Sequence, residues 1–107
     1  MKVLWFWLIF AVAAGLEVTG DAVIRKGLRS SGWLIVVAGV ALLGLYGTLV
    51  NTVKWDFSKL LGVYIAVFAA VSTLFGRVVL HENIPSSTWT GVALIMLGGL
   101  IIQFGGK

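Results

Sequence analysis

Apolar residues run along the chain in four long blocks separated by short polar punctuation. Val3 to Leu16 is uninterrupted until Glu17, and Gly32–Val53, Leu60–Gly76 and Ile84–Gly106 carry no charge. A helix needs about 20 mostly apolar residues to cross a hydrocarbon core of roughly 30 Å. The blocks therefore predict transmembrane helices at Val3–Arg25, Gly32–Val53, Phe57–Val79 and Ser86–Phe104. Gly27 with Ser30-Ser31-Gly32 marks the first connection, Lys54-Trp55-Asp56 the second, and His81-Glu82-Asn83 with Pro85 the third. Proline suits a helix start because its missing N–H would be unpaired there anyway. All five tryptophans, Trp5, Trp7, Trp33, Trp55 and Trp89, fall near segment ends, where amphipathic rings prefer the membrane–water interface.

Composition agrees with this reading. Of 107 residues, 60% are apolar and 11% charged, too little polar surface to cover a soluble domain of this size. The expectation is an all-α membrane protein, one four-helix domain over residues 1–107, with no room left for an enzyme domain. The first segment resembles a signal peptide only in Lys2 and its apolar run; no small-residue cleavage site leads into a soluble domain. Cysteine is absent, which removes thiol and disulfide chemistry. The net charge of +4 does not point to nucleic acid, because the basic residues are scattered over segment ends.

Their distribution is informative in another way. Four spans put Lys2, Lys54, Lys59 and Lys107 on one side and Arg25, Lys26, Arg29 and Arg77 on the other. Orientation follows the Lys/Arg bias, and here the two sides balance. Either the start of helix 1 or the α-amino charge tips the balance, or the chain inserts both ways and pairs with an inverted copy.

Among residues that carry chemistry, Glu17 stands out. It lies about 21 Å beyond Val3 along a straight helix, inside the hydrocarbon layer. Carboxylates at that depth are costly and face a protein interior or a water-filled pathway. Phe10, Ala13, Ala14, Gly20 and Asp21 share its face, most of them small. Glu17 is either an acid hydrogen-bonded between helices or a proton and substrate site. Asp21, one turn on, either ends the helix as an i,i+4 pair with Arg25 or serves as a second proton site and a lure for cations. Tyr64 and Phe68 on helix 3, with Tyr46 on helix 2, are the aromatic candidates for a cation site. His81 and Glu82 lack metal-ligand spacing, Arg77 is placed to snorkel, and no metal or cofactor is implied. Gly91 and Gly98, two turns apart on helix 4, form the stripe that a close helix–helix contact requires.

Gly15-Leu16-Glu17-Val18 in helix 1, followed by the Gly91–Gly98 pair in helix 4, resembles the small multidrug resistance family of the drug/metabolite transporter group, over the whole chain in architecture. Gly62-Val63-Tyr64, Trp89-Thr90-Gly91 and Leu100-Ile101-Ile102, together with Glu17-Val18-Thr19-Gly20, look closer to its YnfA-like branch. The resemblance implies an antiparallel dual-topology homodimer in the bacterial inner membrane that exchanges protons for small organic cations. Glu17 would be the shared proton and substrate site, Tyr64 part of the pocket wall, and Gly91 and Gly98 the dimer contact. Three features depart from the family: the usual helix 3 tryptophan is either Phe68 here or has no counterpart, the second loop lacks proline, and Asp21 adds an acid at a usually apolar position. Guanidinium compounds, polyamines and quaternary ammonium compounds all remain open as substrates. The alternative is a non-transporting subunit, or a lipid-carrier flippase component of a larger complex.

Overall fold

The computed structural model describes residues 2–105, with side chains from residue 4 onward. Lys107 and the side chain of Lys2, both in the charge balance above, lie outside the described residues. Four α-helices follow one another: α1 (Lys2–Ser30), α2 (Trp33–Val50), α3 (Phe57–Val78) and α4 (Ser86–Gly105). Each is long and apolar enough to cross a membrane. The chain divides between Val53 and Lys54 into two helical hairpins, α1–α2 and α3–α4.

In the first hairpin the helices run antiparallel along a line of glycines. A Cβ added at Gly39 would stand 2.8 Å from the carbonyl oxygen of Gly20 and 2.9 Å from the amide nitrogen of Ile24. One added at Gly20 would meet Leu43 Cδ2 at 2.9 Å, and one at Gly27 would meet the Val36 nitrogen at 2.8 Å. Only glycine permits backbones to approach this closely. Gly20 and Gly27 are seven residues apart, two turns along one face, so the contact runs for most of the upper half of α1.

α1 extends past Arg25, where its end was expected, to Ser30. Gly27, read from sequence as a loop residue, is buried in the helix against α2. The end is a Schellman turn: the Gly32 amide donates to the Gly27 carbonyl at 2.8 Å, and Ser31 takes φ 59°. The Ser30 hydroxyl donates to the Lys26 carbonyl. α2 stops at Val50, three residues short of expectation. There Asn51 and Thr52 turn their side chains back onto the Gly47 and Leu49 carbonyls, competing with the helical ladder.

α3 and α4 match their expected bounds to one residue at each end. They meet where Gly99 sits against the Ala66 side chain and where a Cβ on Gly62 would stand 2.8 Å from Ile102 Cδ1. Leu60, Val63, Tyr64 and Ala66 are the buried side chains of α3.

Candidate functional site

The glycine line fixes the register of the first hairpin and with it the surroundings of Glu17. The contacting pairs Gly27–Val36, Ile24–Gly39 and Gly20–Leu43 step along α1 and α2 in opposite directions by equal amounts. The next step on this line sets Glu17 opposite Tyr46. Glu17 and Tyr46 are both half-buried.

Depth along α1 is set by its own interfacial residues. Trp5 is 62% exposed and Arg25 is exposed; they are separated by a rise of about 30 Å, the thickness of a hydrocarbon core. Glu17 lies about 12 Å from Arg25 on this scale, near the middle of the layer. No charged side chain is buried among the described residues. Glu17 therefore occupies the depth of greatest desolvation on a face only partly covered within the hairpin.

Asp21 is exposed one turn nearer Arg25. The pair does not end the helix: α1 continues beyond Arg25 to Ser30. Asp21 instead stands four residues, about one turn, beyond Glu17 on the same side of α1. Of the three aromatic candidates, Tyr46 is the one that joins these acids in the first hairpin. Tyr64 and Phe68 pair with each other in the second, ring centroids 6.3 Å apart and planes inclined by 32°; Tyr64 is only 3% exposed.

The remaining predicted positions separate clearly. Gly91 and Gly98 meet nothing within 4 Å of an added Cβ, and the close contact of α4 within its hairpin belongs to Gly99. His81 takes φ 56° and is exposed, while the Glu82 carboxylate folds back over Gly76 at the end of α3. No group of three metal-ligating side chains occurs among the described residues. The feature missed at sequence level is the Gly20–Gly27 pair, whose heptad spacing equals that of Gly91 and Gly98.

These features define a multi-pass, all-α protein of the inner membrane, with an acid in mid-span of its first helix. Curated relatives agree in size and extent. A membrane protein of Rhodococcus jostii RHA1 is 36% identical over 101 residues, covering 90% of each chain. One from Mycolicibacterium gilvum PYR-GCK is 37% identical over 102 residues, covering 91% of this chain and 92% of its own. One from Streptomyces avermitilis is 37% identical over 101 residues, covering 90% and 88%. All three carry the description UPF0060 membrane protein, and the chain belongs to that family. No protein-family model matches it, and no solved structure matches it either.

Proposed function

We propose that the protein is a proton-coupled exporter of small organic cations, of the small multidrug resistance type. It works as an antiparallel dual-topology homodimer in which Glu17 binds proton and substrate in turn. The observation that carries the reading is the mid-span carboxylate of Glu17 set opposite the Tyr46 hydroxyl on a register fixed by glycines. An acid at that depth is costly and marks a functional site by default, and transporters bind their cargo near the midplane. Tyr46 supplies both a hydrogen-bonding hydroxyl and an aromatic face for a desolvated cation. Asp21, exposed one turn toward the interface, draws cations to the site and relays protons.

The coupling follows from occupancy. A cation binds the ionised carboxylate, and a proton abolishes that charge, so each expels the other and the linkage is reciprocal. A carrier that changes its facing only when Glu17 holds one or the other must exchange them. In a homodimer two Glu17 side chains titrate as a coupled pair. The dimer reading draws on the balanced charges and on Gly91 and Gly98, which face nothing in their own hairpin.

The test is purified protein in proteoliposomes with an imposed pH gradient and a panel of guanidinium, polyamine and quaternary ammonium compounds. Proton movement should accompany uptake of at least one of them in the wild type and vanish in Glu17→Gln. Coupled transport that survives Glu17→Gln would defeat the proposal. Absence of coupling throughout the panel would favour the non-transporting subunit.

A further inference from the structure

The geometry points to a binding surface for the headgroup of an anionic phospholipid at the end of α1, independent of any transport. Arg25, Lys26 and Arg29 are all exposed within the last six residues of the helix. They form one cluster at this segment end. Gly27 is buried against Val36 of α2, and at about 100° per residue the three cations fan across the opposite side of the same turn. The Schellman turn at Ser31 and the Gly27 contact hold this turn rigidly, so the cations are presented on fixed backbone rather than on a mobile loop.

The surface is also set at headgroup depth. If Trp5 marks one edge of the hydrocarbon core, Arg25 stands at the other, and the turn from Lys26 to Ser30 extends about 8 Å beyond it. The hairpin register brings Trp33 and Leu34 level with Ser30 and Arg29. Both are about 70% exposed, Trp33 at 71% and Leu34 at 69%, as is Leu28 on the cationic turn itself. Exposed apolar side chains beside a cluster of cations suit an amphiphile whose phosphate meets the guanidinium forks and whose chains lie along Leu28 and Leu34. A water-soluble polyanion would leave those apolar groups wet, so the occupant is a lipid. Juxtamembrane cations each contribute a modest attraction to anionic lipid, and three together favour it on the order of a hundredfold at low salt. The preference should shrink in high salt.

The experiment is native mass spectrometry of the full chain released from mixed phosphatidylglycerol and phosphatidylcholine bilayers. Wild type should retain phosphatidylglycerol far above its bulk fraction. The triple variant Arg25→Gln, Lys26→Gln, Arg29→Gln should lose that enrichment, and Lys54→Gln should keep it. Equal retention of the two lipids by wild type, or undiminished enrichment in the triple variant, overturns the proposal. A second measurement does not depend on how the triple variant folds. Trp33 emission, taken as the difference between wild type and Trp33→Phe, should be quenched by brominated phosphatidylglycerol at several-fold lower mole fraction than by brominated phosphatidylcholine. Identical quenching curves overturn it equally.

Discussion

Replacing Gly39 by alanine should loosen the first hairpin, and Gly44→Ala on the same helix provides the reference that isolates the effect. The added methyl at position 39 would stand 2.8 Å from the Gly20 oxygen and 2.9 Å from the Ile24 nitrogen. Both are backbone atoms and cannot rotate away. An ordinary contact is about 3.5 Å, so α1 and α2 must part locally by about 0.7 Å. A gap of that size forfeits roughly a quarter to a half of each contact energy it opens, and overpacking a fitted interface costs about 1–3 kcal/mol. Alanine also gains about 1 kcal/mol over glycine as a helix former. Gly44→Ala gains the same amount, because its Cβ would meet nothing within 4 Å. The difference between the two variants thus reports the packing term, about 1–3 kcal/mol against Gly39→Ala. It is measured by unfolding each protein with sodium dodecyl sulfate in mixed micelles and following helicity. Equal stabilities would refute the glycine contact, and with it the register that sets Tyr46 opposite Glu17.

The same physics yields four shorter predictions. Ser31→Gly should stabilise the chain by about 1 kcal/mol, since Ser31 sits at φ 59° where a Cβ is disfavoured; no change in the same unfolding assay would contradict it. Below the ionisation range of Glu17, apparent cation affinity should fall about tenfold per pH unit, the signature of one proton displaced per cation; calorimetry in detergent showing pH-independent binding would rule out shared occupancy, and Asp21→Asn should weaken binding without removing the pH dependence. Gly91→Leu or Gly98→Leu should lower intersubunit crosslinking while leaving the α3–α4 hairpin folded, whereas Gly99→Leu should disturb the hairpin itself; unaltered crosslinking in both of the former would make their spacing incidental. Cysteines near Lys107 should be labelled from both sides of sealed cells, and one-sided labelling would eliminate dual topology.

Helix number and most helix ends were legible because bilayer thickness writes itself into the length of each uncharged run. α2 ends early at Asn51 and Thr52, whose side chains an uncharged run does not flag; the end of α1 was misplaced because charge and glycine were taken as punctuation. Arg25, Lys26 and Arg29 do not stop α1, since these are good helix formers and the helix can run out into the headgroup layer. Gly27 is inside the helix because α2 needs to approach there, not because the chain turns. The glycine signal was read in one pair only: Gly20–Gly27 and Gly91–Gly98 have identical spacing, and sequence does not say which face meets a neighbour in the same chain. Tyr46 was one of three aromatic candidates, and not the one the resemblance favoured, for a similar reason. Its place opposite Glu17 is set by the length of the connection between α1 and α2, a quantity that depends on where those helices end.

A further regularity explains why so few residues are left to define the site. The hydroxyls of Ser30, Thr48, Thr52, Ser72, Thr73 and Thr90, and the amide of Asn51, each donate to a carbonyl three or four residues back in their own chain segment. Such bonds satisfy a polar group inside lipid without calling on a neighbouring helix. Helix–helix adhesion in both hairpins falls instead to glycines and the apolar side chains packed on them, Gly20, Gly27 and Gly39 in one, Gly62 and Gly99 in the other. The two tasks are thereby separated: apolar close approach holds the helices, and the hydroxyl side chains are turned inward on their own backbones. The polar side chains that remain near mid-span in the first hairpin are Glu17, Thr19, Asp21 and Tyr46, and of these Glu17 and Tyr46 face each other on the glycine register, so a charged or hydrogen-bonding ligand at that level meets an acid and a phenol together.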